Sequence, residues 1–351
     1  MTPSGTTPIQ PGELYAGYAS DAAVRAAASS GGVVSAILLE LLRRGHGGAL
    51  VSRITSSSDG IVAETVLART PEEVLRCGGS SYIDTPVLQA VHRLRDERGP
   101  IAVVALPCQV RALRRMMQRQ PELSAKFFPV IGLFCRGSVR AEFYDDFFRS
   151  IGLDPRHVSS VKVARGHVKG QVIIRRDNGG ETNIPFMRLN AYRLAGIHAK
   201  RLCAWCDEHM AAEADLSVGD IFTSNFKHRE IKHSAFAARN ERFASLVAEM
   251  VEQGQLTAER VGMDSYCRTF RKIERFSNQQ VSRWPGAFLF GPRRPSGKLS
   301  GRFNLFHSLA WMIILCNGWL SRKPWGRRVL YAMPRPMVTV AALLVKGLSR
   351  L

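Results

Sequence analysis

The sequence predicts an α/β protein: a mixed, largely parallel sheet with helices, followed by a basic helical tail. Three observations carry that reading. Ile101–Leu106 and Phe128–Phe134 are short, unbroken apolar runs. Between them, Gln109–Gln120 has a basic helical pattern with Val110, Leu113 and Met117 on one side. A strand, a helix and a strand, with both strands apolar throughout, mark a buried parallel sheet. The third observation is charge. The 351-residue chain carries a net +20, yet no Asp or Glu follows Glu274, while thirteen Lys and Arg do. The excess therefore sits in a tail that is also apolar, whereas a nucleic-acid footprint would more naturally cover a folded face.

The elements follow in order. Residues 21–48 read as a glycine turn, Ser29-Ser30-Gly31-Gly32, entering a helix in which Val33, Ile37, Leu38, Leu41 and Leu42 recur at helical spacing. Gly45–Gly48 stop it. Ala49–Thr55 and Gly60–Ala68 form two strands around the Ser56–Gly60 turn. Thr70 caps a short helix through Leu75, and Pro86–Arg98 is a further helix. Beyond the second apolar strand, Glu142–Ile151 is helical, and Val158–Ala164 and Gln171–Arg176 alternate as an antiparallel pair. Ser234–Leu256 ends in an amphipathic helix. The length suits two domains, or one with an appendage.

Four cysteines stand in three settings. Cys108 follows one apolar strand in Pro107-Cys108-Gln109, Cys135 ends the other in Cys135-Arg136-Gly137, and Cys203 and Cys206 form a C-x-x-C turn around Ala204-Trp205. In a right-handed crossover both strand ends fall on one side of the sheet, the side where open α/β sheets place ligands. Four gathered thiolates bind either a tetrahedral zinc or a 4Fe-4S cluster. A zinc ribbon expects a second C-x-x-C, which this chain lacks. Cys267 and Cys316 lie in apolar helical surroundings where a free Cys fills space. Cys77, before Gly78-Gly79, fits either packing or a cofactor contact. Met1–Ser20 is polar, without the basic and apolar stretches of a secretory leader, so the expected setting is a reducing, cytoplasmic one.

Two small-residue loops are candidate phosphate or flavin contacts: Ser29-Ser30-Gly31-Gly32, and Gly79-Ser80-Ser81-Tyr82. Neither is a G-x-G-x-x-G fingerprint, so a nicotinamide site of the Rossmann type is not expected.

Taken together these pieces resemble the beta-subunit family of coenzyme F420-reducing hydrogenases and dehydrogenases. The matching residues are the two loops, Pro107-Cys108-Gln109, Cys135-Arg136-Gly137, the Cys203–Cys206 turn, Gly219-Asp220, and Lys232-His233-Ser234-Ala235. The resemblance covers roughly residues 12–280. It implies a 4Fe-4S cluster on Cys108, Cys135, Cys203 and Cys206 with FAD close by. The cofactor-binding residues are then Ser29, Ser30, Gly31, Gly32, Gly79, Ser80, Tyr82, Gly219 and Asp220. The implied activity is an oxidoreductase passing electrons between cluster, FAD and an organic hydride donor or acceptor. Relatives include deazaflavin reductases, formate dehydrogenase partner subunits and chlorophyll-pathway reductases.

The chain also departs from the family. Ser81 stands where members often carry Lys, and Ile221-Phe222 replaces an aromatic pair that usually contains Trp. No ferredoxin-like cysteine run exists, so a separate electron-donor protein such as a ferredoxin is expected. His198 and Lys200, just before the C-x-x-C, are candidate proton donors, with a surface His and Lys as the plainer reading.

The sequence divides into residues 12–85, residues 86–280 holding the cluster and flavin, and the tail 281–351. Leu305–Leu320 and Met337–Val345 are apolar runs too short or interrupted for a spanning helix, separated by Arg322, Lys323, Arg327 and Arg328. An anionic membrane surface suits that mixture; docking on a partner and simple packing are the rivals. Two other functions compete: a non-catalytic electron relay, and a four-cysteine zinc protein whose tail binds nucleic acid.

Overall fold

The computed structural model describes residues 9–351 apart from 95, 166–169, 222, 227, 263, 265, 268–275, 277–278 and 291–298. Phe222 of the departing Ile221-Phe222 pair thus lies outside the described residues.

The chain opens with β1 (Tyr15–Ala19), α1 (Ala22–Ala27) and α2 (Val33–Arg43). The hairpin β2 (Gly48–Ser57) and β3 (Gly60–Ala68) follows, then α3 (Pro71–Arg76) and α4 (Val87–Arg93). The predicted crossover is present as β4 (Ile101–Ala105), α5 (Pro107–Arg119), α6 (Glu122–Lys126) and β5 (Val130–Leu133). Next come α7 (Glu142–Ser150), β6 (Val158–Arg165), β7 (Gln171–Arg176), β8 (Glu181–Pro185) and α8 (Phe186–Leu194). β9 (Leu216–Asp220), β10 (Ser234–Ala238), α9 (Glu241–Glu252) and β11 (Leu256–Arg260) complete the sheet. Among the described residues the tail has four helices: α10 (Gln280–Phe290), α11 (Leu305–Leu320), α12 (Pro324–Ala332) and α13 (Arg335–Leu348).

Among the described residues one eight-stranded sheet runs β11-β1-β10-β9-β5-β4-β2-β3. Its centre, β2-β4-β5-β9, is parallel, and both flanks are antiparallel. Strands from residues 12–85 and from residues 86–280 interleave in it. The central strands are covered on both faces, as their unbroken apolar character requires. Ala49, Val51, Ala102 and Ile131 join the core beneath α2 and α9, while Leu50, Ile101, Val103 and Val130 join the core beneath α4 and α5. A separate three-stranded sheet, β6-β7-β8, packs with α7, α8 and the tail residues Leu330, Val338 and Ala342.

Several boundaries differ from the sequence reading. Two helices, not one, fill residues 21–48, because the 29–32 turn separates α1 from α2. α4 ends at Arg93, where the charged run toward Gly99 and Pro100 offers no apolar face. α5 begins at Pro107, whose missing N–H suits a first helical position. Residues 234–238 are a buried strand, and Asn240 caps α9 by accepting from the Phe243 N–H at 2.9 Å.

Candidate cluster and flavin site

Parallel pairing puts the carboxyl ends of β4, β5 and β9 on one edge of the sheet. Cys108 follows β4 in the first turn of α5, Cys135 lies two residues past β5, and Asp220 ends β9. The Cys203–Cys206 turn reaches the same edge on a 3-10 turn spanning Leu202–Trp205. The Cys135 N–H donates to the His209 carbonyl at 2.9 Å, tying the segment after β5 to the segment after the turn.

The thiols feel one another. Burial pushes the Cys135 thiol up to about 12; the Gly137 N–H opposes this, and the charges of Cys203, Cys108 and Cys206 add to it. Burial raises Cys203 and Cys206 as well, and each is raised further by Cys108. All four sulfurs therefore lie within electrostatic reach. Thiols that resist ionisation together are stable as thiolates only when a cation compensates them. Backbone donors already point at two of them: Gly137 N–H at the Cys135 sulfur and Ser138 N–H at the Cys203 sulfur, each at 3.4 Å. Cys108 itself sits in the first turn of α5, exposed at the rim of this corner. Among the described residues no group of three or more His, Cys, Asp or Glu is spaced as a ready single-ion site.

Arg283 of α10 completes this corner, and no sequence pattern singled it out. It is buried at 1 % exposure and donates to the carbonyls of Ala204 and Cys206. Its guanidinium stacks 4.5 Å over the Trp311 ring of α11. Burial pulls its pKa down to about 10 against the pull of Cys206 and Asp207. The tail is thus built into the cysteine corner. Gly196 and Gly318 allow that packing, since a Cβ on Gly196 would sit 2.5 Å from the backbone of Ile314.

The two small-residue loops converge beside the cysteines. Lys232 donates to the Ser29 carbonyl at 2.7 Å and pairs with Asp220 at 3.4 Å. Ser30 donates to the His233 carbonyl at 3.0 Å, and the Gly31 N–H donates to Ser234 Oγ at 3.0 Å. Ser29 donates to the Val163 carbonyl at 2.8 Å. Thus the serine hydroxyls of the first loop are spent on backbone carbonyls. Its glycines have a structural cause too: a Cβ on Gly31 would lie 2.5 Å from the Gly17 carbonyl, and Gly32 holds φ +79 at the head of α2. Gly219 is likewise fixed by packing, with Phe134 filling the place of a side chain. Gly79 holds φ +126, and a Cβ there would meet nothing closer than Ser29 Oγ at 3.9 Å.

Tyr82 holds the left-handed backbone at φ +57. Its ring lies 5.7 Å from Phe186, with the Arg193 guanidinium 4.8 Å above it. Burial raises its pKa, Arg193 and Ser80 oppose that, and Asp220 adds to it. Ser138 binds this loop to the cysteines: its hydroxyl donates to the Tyr82 carbonyl at 3.1 Å, while its N–H faces Cys203. Gln109, one residue after Cys108, donates to the Thr85 carbonyl at 2.7 Å.

The candidate proton donors are otherwise engaged. His198 is fully buried, not a surface residue. Its ring lies 3.0 Å from Asp146 and 3.0 Å from Arg140, and its backbone N–H donates to Ser321 Oγ at 3.0 Å. Lys200 pairs with Asp84. Cys77 packs against the main core, and burial raises both its thiol and that of Cys316. A surface hollow of about 540 Å³ at Arg149, Gly152, Leu153, Asp154 and Arg156 contains none of the site residues.

Both glycine loops and all four cysteines lie in segments that match one family. Residues 14–92 match the N-terminal model, and residues 99–263 the C-terminal model, of the coenzyme F420 hydrogenase/dehydrogenase beta subunit. The chain belongs to that family.

It is 27 % identical over 202 residues to a named subunit of the F(420)H(2) dehydrogenase of Methanosarcina mazei, covering 56 % of this chain and 53 % of that one. It is 24 % identical over 294 residues to the chloroplastic 7-hydroxymethyl chlorophyll a reductase of Oryza sativa subsp. japonica, covering 79 % of this chain and 61 % of that one. The chain thus spans only about half to three-fifths of the length of these two relatives. A chain from the xenon-derivatised F420-reducing [NiFe] hydrogenase complex of Methanosarcina barkeri superposes with a TM-score of 0.62 at 18 % identity, covering 83 % of this chain and 98 % of that one. That likeness establishes the α/β fold. The family is one of oxidoreductase subunits.

Proposed function

We propose that this chain is an iron–sulfur flavoprotein oxidoreductase of the cytoplasm. Cys108, Cys135, Cys203 and Cys206 would hold a 4Fe-4S cluster. Ser29, Ser30, Gly31, Gly32, Gly79, Ser80, Tyr82, Gly219 and Asp220 would line the FAD site beside it. The observation that carries the reading is the meeting of these residues, from six separate segments, at one sheet edge. The donor set fits a cluster: mutually coupled thiols, two backbone N–H groups aimed at sulfur, and a buried guanidinium. When bound, the cluster would pass single electrons and the flavin would pair them into hydride exchange with an organic substrate.

The chain's own residues bind and orient. Gly137 and Ser138 donate to the sulfurs, Lys232 and Asp220 hold the first loop, and Arg193 and Phe186 fix the Tyr82 ring. A separate donor such as a ferredoxin would supply electrons. The relatives' names as subunits of larger enzymes favour a second reading, an electron relay without its own substrate.

The test is the absorption spectrum of anaerobically purified protein before and after dithionite, with metal and flavin analysis. Brown protein with about four irons per chain and releasable FAD is expected. Colourless protein with one equivalent of zinc refutes the reading. Reduced protein that passes electrons to a partner but to no deazaflavin or other organic acceptor supports the relay.

A further inference from the structure

We propose that the outward face of the C-terminal helices docks this protein on an anionic lipid surface without crossing it. The inward face of the tail is already used. Val338, Ala342 and Val345 of α13 are buried, Asn317 of α11 donates to the Ala195 carbonyl at 2.7 Å, and Arg140 donates to the Ser321 carbonyl at 2.6 Å. These contacts hold the helices in place and leave a second apolar face outside. Met337, Val340 and Leu344 of α13, at i, i+3 and i+7, are 56 %, 54 % and 52 % exposed. Trp325 and Val329 of α12 are 55 % and 54 % exposed. A helix apolar on both sides is normally covered on both.

Charge identifies the cover. The tail has no acid, and Lys323, Arg328, Arg335, Lys346 and Arg350, on or beside the same two helices, are exposed. Basic residues rimming Trp and aliphatic side chains are the composition that lies in an interface between water and anionic lipid. Length excludes a single crossing helix: among the described residues none is long and apolar enough, and α12 and α13, which together reach the length, meet at 99°. Arg335 sits at that bend, placing a cation where a span would need continuous apolar backbone.

The experiment is flotation of the full chain with vesicles of phosphatidylcholine alone or with phosphatidylglycerol added, at rising salt. Binding to the anionic vesicles is expected, falling as salt rises, with a remainder that salt does not remove. Lys323→Glu with Arg328→Glu should weaken binding about tenfold or more. Met337→Ser with Leu344→Ser should remove the salt-resistant part. All four positions are exposed, and circular dichroism confirms that each variant remains folded. The proposal is overturned if the full chain floats with neither vesicle, or if the charge variant binds as the parent does. Resistance to alkaline carbonate in washed membranes overturns it in favour of a spanning pair. A stable complex with a protein that blocks flotation overturns it in favour of a subunit interface.

Discussion

Replacing Arg283 with Met tests how the tail serves the cysteine corner. The substitution keeps length and apolar bulk but removes the charge. It strands the carbonyls of Ala204 and Cys206, at roughly 1–3 kcal/mol each, and the stacking on Trp311, worth about 2 kcal/mol when desolvated. Against this stands a gain. A base whose folded pKa has dropped from 12.5 to about 10 is penalised for its charge everywhere below pH 10, by roughly 3 kcal/mol, and the penalty fades only as pH rises toward 12.5. The losses therefore outweigh the gain in cluster-free protein, leaving a net loss of about 1–5 kcal/mol.

An anion on the four cysteines changes the balance. It would attract the guanidinium, so Met should cost more in loaded than in empty protein. The assays are anaerobic thermal melts of both forms, iron content, and a potentiometric titration followed by electron paramagnetic resonance. Removing a cation disfavours the reduced cluster, so the midpoint should fall, by about 40–80 mV for 1–2 kcal/mol of lost attraction in a one-electron couple. An unchanged midpoint, with both forms destabilised alike, would falsify the electrostatic role and leave Arg283 a packing residue.

The other expectations can be checked with the same preparations. Cys203→Ser should lose most of the iron while Cys316→Ser and Cys77→Ser retain it; equal losses would show that the wrong thiols were chosen. Lys232→Gln removes the bond to Ser29 and the pairing with Asp220, so bound flavin should drop several-fold with iron held, and full flavin occupancy would move that site elsewhere. Gly31→Val should lower soluble yield and iron as well as flavin, because its side chain meets the Gly17 carbonyl besides crowding the proposed flavin site; unchanged yield and iron would refute that packing role. Glu40, held down to about 2 by Arg43 ahead of Arg44 and Gln255, stabilises the fold above its usual pKa of 4.5, and that support is lost as pH falls toward 2. Urea melts should therefore find Glu40→Gln weaker by about 2–3 kcal/mol at pH 6, with the gap narrowing below pH 4.5 and closing only near pH 2; a constant gap refutes the linkage.

Much of this was readable from residue order because the central strands are buried on both faces. Ile101–Ala105 and Val130–Leu133 could hardly be anything else, and once they pair in parallel Cys108 and Cys135 must share an edge. β1 and β11 were not legible: Tyr15–Ala19 and Leu256–Arg260 are short, and β1 lies more than 200 residues from either strand it pairs with. Gly31 and Gly219 read as ligand contacts in the sequence, and residue order could not show that each also has a packing role, against the Gly17 carbonyl and the Phe134 ring. Arg283 carried no local signature, since an arginine in a basic tail looks solvated until the fold buries it. His198 was misjudged for the converse reason: its partners Asp146, Arg140 and Ser321 come from distant segments. The tail's two apolar runs were visible, but their division into an inner face and an outer one was not.

The strand order has a bearing on how the chain is made. β1 sits between β10 and β11, so Tyr15 finds its neighbours only at Phe236 and Arg260. During synthesis at about 5–20 residues per second, the first strand emerges roughly ten to forty seconds before anything can pair with it. The β2–β3 hairpin meanwhile closes at once on itself. The amino-terminal strand is therefore a late guest in a sheet whose numbering it begins, and a nascent chain stalled before residue 234 would hold two open strand edges with nothing to shield them.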